Sequence, residues 1–278
     1  PNVGDARTIK GTSYKTLVRT AIGAVGFRDG NQGQASIKST YANRLVETFI
    51  MNPRWDVDRA LADKAEDGWQ VLMADEAFGV LQGTMQQLGR QFYYGRNNAA
   101  ALGGHLKGFG GLIDVVDSGY VVDAGGTTAD TGSSVWAVCF GRQKVQWVYG
   151  QNGSFDPTDV DIRDVRDADG NPYSAYFQEM FLYPGLQVSS PRYVARIKKL
   201  TEDSGKGLTD AKLSALMEKF PVGVRPDVIF MTKRSRRQLR DSRTATNDTG
   251  KEAPLPMDYD GIPIAVTESI SNTEPLTL

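Results

Sequence analysis

The stretch Trp69-Gln70-Val71-Leu72-Met73-Ala74-Asp75-Glu76-Ala77-Phe78-Gly79-Val80-Leu81-Gln82-Gly83-Thr84-Met85-Gln86-Gln87-Leu88-Gly89-Arg90-Gln91-Phe92-Tyr93-Tyr94 decides the architecture. Met73, Ala77, Val80, Leu81, Thr84, Met85, Leu88 and Phe92 recur at three- and four-residue spacing, which predicts one apolar stripe on one helix. At 1.5 Å rise per residue that helix is about 38 Å long. Gly95 follows as a C-terminal cap. A helix of this length must lie against a sheet or other helices, so the stripe reads as core packing and not as a cofactor seat.

Upstream the pattern changes to extended chain. Residues 7–20 carry Thr8, Ile9, Thr12, Tyr14, Thr16, Leu17 and Val18, and a second extended run covers residues 34–51. Arg28-Asp29-Gly30-Asn31-Gln32-Gly33 lies between them as a turn. Two strands of roughly 13 residues at about 3.3 Å per residue predict an arm on the order of 40 Å long. A lone two-stranded hairpin is marginal in water and its free edges invite other chains. The arm should therefore rest on a neighbour, with Lys10, Tyr14, Lys15, Arg19, Asp29 and Gly30 as candidate subunit contacts. Between arm and long helix, residues 55–63 read as a short helix with Asp56 or Asp58 as its cap.

Downstream, β and short α segments alternate. Trp136, Val138, Phe140, Val145, Trp147 and Tyr149 flank the turn Gly141-Arg142-Gln143-Lys144, and residues 191–197 read as another strand, giving an antiparallel sheet. Residues 208–220 form an amphipathic helix capped by Thr209. The strand 227–231 then leads into the basic run 233–243. A loop rich in Gly, Pro and Asp over residues 246–259 precedes a last strand at 262–266. The fold class is α+β.

Composition removes several function classes. The chain has 278 residues, 40% hydrophobic and 23% charged, enough to bury a full core as one large domain or two linked ones. No apolar run reaches the roughly 20 residues that span a bilayer. No basic and apolar signal segment opens the sequence, and Pro1 suggests removal of an initiator Met or N-terminal trimming. A single cysteine, Cys139, excludes an internal disulfide and fits a reducing compartment. It sits in Val135-Trp136-Ala137-Val138-Cys139-Phe140 as a buried structural thiol. The single histidine, His105, lies in a Gly-rich loop with no GxSxG elbow, which argues against a triad and against zinc sites needing two or three His.

Three patterns imitate chemistry. Asp156, Asp159, Asp161, Asp164, Asp167 and Asp169 begin like a calcium loop, but the sixth loop position is Pro172 and the twelfth is Gln178. Asp169-Gly170 instead marks a hairpin turn. The Gly-rich stretches 103–111 and 125–126 match neither GxGxxG nor a P-loop. Lys233, Arg234, Arg236, Arg237 and Arg240 are candidates to face DNA, yet the net charge is −1 and the pI about 6.0, against pI above roughly 9 for dedicated nucleic-acid binders. No catalytic residue, metal ligand or cofactor is predicted. Two other readings stand beside the arm: a non-specific DNA binder using residues 233–243, and a hydrolase using the Asp cluster.

Several blocks, in order along nearly the whole chain, resemble the major capsid proteins of short-tailed bacteriophages. They are Val57-Asp58-Arg59-Ala60-Leu61-Ala62-Asp63, Phe92-Tyr93-Tyr94-Gly95-Arg96-Asn97, Gly108-Phe109-Gly110-Gly111-Leu112, Val122-Asp123-Ala124-Gly125-Gly126-Thr127, Ser133-Ser134-Val135-Trp136-Ala137-Val138, Arg192-Tyr193-Val194-Ala195-Arg196-Ile197 and Gly261-Ile262-Pro263-Ile264. The resemblance implies the tailed-phage capsid fold first seen in a Hong Kong coliphage. It implies an extended β-hairpin loop over residues 1–53 and a peripheral domain over 54–200 with spine helix 69–94 and an antiparallel sheet. An α+β axial domain with the return strand would cover 201–278. It further implies a non-enzymatic subunit that self-assembles into pentamers and hexamers, enclosing double-stranded DNA in a virion built in the bacterial host cytoplasm. Scaffold, portal and decoration proteins are implied partners, and no membrane is. Such proteins carry an N-terminal arm ahead of the loop, whereas this chain enters the loop almost at once, so that arm is cleaved, missing or supplied otherwise.

Overall fold

The computed structural model describes residues 4–98, 102–150, 157–245 and 251–277. The predicted helix is α2, Trp69–Tyr94. It ends where Gly95 takes φ 62° and donates its N–H to Gln91 O at 3.0 Å. A Cβ at Gly95 would collide with the backbone of Gly111, so this turn needs glycine twice over.

Two cores meet along α2. Its N-terminal half, through Met73, Ala77 and Val80, packs on Trp55, Tyr176, Met180 and Leu182. These belong with a three-stranded antiparallel sheet, in which β4 (Arg54–Asp58) and β8 (Asp161–Arg166) flank β9 (Pro172–Glu179). Trp69 stacks on Tyr176 with ring centroids 4.6 Å apart. The C-terminal half, through Phe92, Tyr93 and Tyr94, packs on Trp136, Val138, Val145 and Val194. Leu81 and Met85, expected in the buried stripe, are instead exposed at 37% and 46%. The apolar pattern is wider than the face this chain covers.

The larger sheet has six strands in the order β13-β14-β12-β6-β11-β5. They are β5 (Val121–Asp123), β6 (Ser133–Val138), β11 (Val194–Leu200), β12 (Val228–Met231), β13 (Asp258–Tyr259) and β14 (Ile262–Val266). All six residues of β6 are buried because both its faces are covered. Trp136 and Val138 face α2, while Val135 and Ala137 face Leu213, Leu216 and Leu239 of α3 (Asp210–Glu218) and α4 (Lys233–Ala245). Thr209 caps α3, as expected, its side chain accepting from Lys212 N.

Several expectations are corrected. The sheet is mixed, since β5 runs parallel to β11 and β14 to β12. Strand β6 and strand β7 (Val145–Tyr149) do not form a hairpin across the turn at 141–144. β7 joins a separate sheet with β1 (Ala6–Thr8) and β10 (Pro184–Val188). The six-stranded sheet also takes strands from both sides of residue 200, so the expected boundary there does not separate two sheets. Residues 55–58 belong to β4, and the short helix α1 is only Arg59–Ala62, with the Asp58 side chain capping Ala60 N at 2.8 Å. Residues 191–193 form a single 3-10 turn before β11 begins.

The arm is real but shorter than predicted. β2 (Ser13–Ala21) pairs antiparallel with β3 (Thr40–Glu47), nine and eight residues, or roughly 28 Å at 3.3 Å per residue. Residues 6–8, expected on the arm, pair parallel with β7 in the body. Residues 22–39 continue outward without strand pairing, turning at Asn31 with φ 64°.

Candidate functional site

Four features bear on function: the arm, the outer face of α2, the basic helix and a buried polar centre. Along the arm, Leu17, Ile22, Val25, Phe27, Ile37, Tyr41 and Leu45 are all exposed, Phe27 completely. On the hairpin Leu17, Tyr41 and Leu45 share one face that the described residues leave open, while Tyr14 and Val46 on the other face are half-buried and buried. Lys10, Lys15, Arg19, Asp29 and Gly30 are exposed as well. Arg19 lies over the Tyr41 ring at 5.8 Å across the hairpin, and Asp29 O accepts from Gln32 N at 3.3 Å in the turn. Tyr14 has a different place from the one expected. Its hydroxyl donates to Gln187 Oε1 and Arg7 lies over its ring at 4.5 Å, so it fastens the arm's root to its own body. Arg44 Nη1 adds a bond to Val188 O at 3.0 Å.

The outer face of α2 is the second uncovered apolar surface. Val71, Phe78, Leu81 and Met85 are exposed there, Phe78 at 70%, with Asp75 and Glu76 beside them.

The basic side chains of helix α4 are engaged within the fold, some by carboxylates and some by carbonyls. Lys233 pairs with Glu268 and Arg237 with Glu202. Arg234 donates to Asn272 O, Thr131 O and Leu200 O at 2.7 to 3.2 Å. Arg236 reaches Pro256 O at 2.8 Å, and Arg240 reaches Glu252 at 2.9 Å. Arg243 clasps Asp210 at the start of α3, and that bond raises its pKa. The five side chains expected to face DNA are thus each engaged by their own chain. Sequence alone hides this, because the partners lie between 12 and 103 residues away.

The residues that resembled chemistry have structural roles. Cys139 is buried, its Sγ 3.2 Å from Arg225 O, with its pKa pushed up to about 12 by burial. His105 Nδ1 accepts from Lys107 N at 3.3 Å in an exposed loop. Gln91 pins that loop, donating to Phe109 O and accepting from His105 N. Asp167 accepts from Asp169 N and Asn171 N at 3.0 and 2.8 Å, closing the β8–β9 hairpin at Gly170. Asp156 and residues 246–250 lie outside the described residues.

Sequence reasoning missed the buried polar centre. Glu274 is 2% exposed and pairs with Arg196 Nη2 at 3.1 Å, itself 3% exposed. Arg196 Nε also donates to Ser134 Oγ at 2.9 Å, and Ser134 Oγ to Glu274 Oε2 at 2.5 Å. Tyr94 OH donates to Glu274 Oε1 at 2.6 Å and accepts from Ser271 N at 2.6 Å. Burial first, then the Glu274 charge, holds the Tyr94 hydroxyl far above its ordinary pKa. Nothing in Ser271-Asn272-Thr273-Glu274-Pro275 marks Glu274 as a core residue.

An uncovered arm face and a second uncovered apolar stripe describe a part made to fit other parts. The model of the family "Major capsid protein GP7" matches residues 5–277. The chain belongs to the GP7 major capsid proteins. It is a structural subunit of a tailed-phage capsid, and its place is the virion shell. Nothing among the curated proteins matches it. Among solved structures, one of bacteriophage Epsilon15 is similar at 22% identity with TM-score 0.70, covering 99% of this chain and 88% of that one. The bacteriophage JBD30 capsid is similar at 9% identity with TM-score 0.54, covering 96% and 89%. At such identities they establish the fold, which is the tailed-phage capsid fold. The reading as a free DNA-binding protein is not supported, since the family is a shell protein.

Proposed function

We propose that copies of this GP7 capsid protein assemble arm over neighbour. Residues 13–47 of one copy lie across the outer face of α2 on the next, and the resulting hexamers and pentamers close around packaged double-stranded DNA. The observation that carries this reading is the arm's uncovered face, where Leu17, Tyr41 and Leu45 lie in water, with Phe27 exposed beyond the paired strands. The α2 stripe supplies an apolar counterpart. Charge supports the match, since Lys15, Arg19, Arg28, Lys38 and Arg44 outnumber Asp29 and Glu47 on the arm, whereas Asp63, Glu66, Asp67, Asp75 and Glu76 outnumber Lys64 just before and in the first turns of α2. Each large side chain buried contributes about 1.5–3 kcal/mol. A single contact is weak, and closed symmetry multiplies it.

In this scheme residues 1–53 serve as the extended loop, 54–200 as the peripheral region and 201–278 as the axial region, with the six-stranded sheet joining the last two. The role is assembly without turnover, carried out in the host cytoplasm. Scaffold, portal and decoration proteins are the further partners such a shell meets. Two variants test the scheme: Leu17→Asp with Leu45→Asp on the arm, and Phe78→Asp on α2. Each should keep its circular dichroism and lose at least tenfold in particle yield. Wild-type yield from both would overturn the arm-over-α2 contact.

A further inference from the structure

The polar centre around Glu274 has a position in chain order that its chemistry makes consequential. Residue 274 follows every strand and helix among the described residues, yet it is the point at which three of them are joined. Tyr94 comes from the end of α2, Ser134 from β6 and Arg196 from β11, and each bonds to the Glu274 carboxylate or to a group that does. The backbone is fixed as well, with Glu274 N donating to Gly132 O at 2.9 Å, and Ser133 Oγ donating to Ser271 O at 2.9 Å. Without residues 271–274, the Arg196 guanidinium would remain in the core facing Trp136, whose ring lies 5.2 Å away, with Ser134 as its remaining side-chain partner. A buried charge stripped of its counter-charge is strongly unfavourable, and opening the site to water is the available relief.

We propose that residues 271–274 form a latch that holds the end of α2 to the six-stranded sheet, so that a subunit is rigid enough to assemble only after this segment has docked. The inference rests on the shell-subunit reading for its assembly half and on geometry alone for its latch half. The latch closes on α2 at Tyr94, in the same helix whose outer face carries Phe78. An undocked latch would leave that face free to pivot against the sheet while secondary structure persists.

The test uses full-length Glu274→Gln, with Leu213→Ala, in the opposite core layer, as a variant matched for loss of thermal stability. Amide hydrogen exchange on unassembled protein should rise at least tenfold at residues 91–95 and 133–134 together in Glu274→Gln, and not in Leu213→Ala. Exchange like the wild type at those residues would overturn the latch, whether or not the wild type forms particles. Particle yield should then fall at least tenfold for Glu274→Gln and stay near wild type for Leu213→Ala. Equal yields from the two variants would overturn the link to assembly. If Glu274→Gln does not fold, the variant Glu274→Leu with Arg196→Met, Tyr94→Phe and Ser134→Ala removes the stranded charge together with the hydroxyls it would leave without partners. It should recover the fold and the exchange protection, and failure to recover either would overturn the latch. Absence of particles from the wild type even with its scaffold would contradict the shell reading and leave the exchange result to judge the latch.

Discussion

Tyr94 shows how much of this protein's stability sits in single satisfied groups. Its hydroxyl donates to Glu274 Oε1 and accepts from Ser271 N in a site closed to water. Tyr94→Phe leaves both groups buried without that partner, so it should cost about 1–3 kcal/mol in urea unfolding. Glu274→Ala, which leaves Arg196 without its counter-charge, should cost about 3–5 kcal/mol. Asp203 makes a different case, at the surface. Hydrogen bonds from the Thr128 and Thr201 hydroxyls and the Thr127 and Thr128 N–H groups hold its carboxyl well below the ordinary carboxylate range. A depressed pKa gives stability that is complete above the unfolded value of about 3.9 and lost as the pH falls below it. The urea midpoint of the wild type should therefore exceed that of Asp203→Asn near neutral pH, and the gap should narrow below about pH 4. A gap unchanged on acidification would show that the Thr127–Thr128 clasp does not depend on the charge. These residues were poorly legible in the sequence for one reason. Glu274 and Asp203 get their roles from partners up to 180 residues away, and no local pattern encodes such a meeting.

At the scale of elements, legibility followed locality. Helix α2 begins and ends where its spacing and Gly95 said it would, because an α-helix is specified by neighbours three and four residues apart. The hairpin β8–β9 was readable from Asp169-Gly170 for the same reason. Strands β6 and β7 were not, since which sheet a strand joins depends on partners far along the chain, and the turn at 141–144 sends them to different sheets. The arm was overestimated because residues 7–12 and 34–39 were read as paired strand, yet pairing covers only Ser13–Ala21 and Thr40–Glu47, which leaves residues 22–39 as an unpaired excess of chain. That excess is informative, since exposed Ile22, Val25 and Phe27 are expected to be covered in the shell. Charge reversal by Lys10→Glu with Lys15→Glu should lower particle yield more than it lowers the thermal midpoint, as measured by sedimentation and calorimetry on the same samples. An equal drop in both would place these lysines in folding and not in assembly.

As a whole molecule, the subunit is well closed where its two cores meet along α2 and open at the arm and the outer helix face. The fold was legible in outline from arm, long helix and mixed tail, and the family follows from the match over residues 5–277. Of the residues proposed as subunit contacts, Lys10, Lys15, Arg19, Asp29 and Gly30 are exposed and Tyr14 is half-buried. The partners of the basic helix were not legible, because a run of Arg gives charge but not the acidic groups and carbonyls, far along the chain, that it meets. Cryo-electron microscopy of particles formed by the purified chain tests the central claim most directly. The account predicts closed or partial shells in which density for residues 13–47 of each subunit crosses the outer face of α2 on the adjacent one, over Phe78. Shells in which the arm folds back on its own body, or a protein that stays monomeric under all assembly conditions including its scaffold, would contradict it.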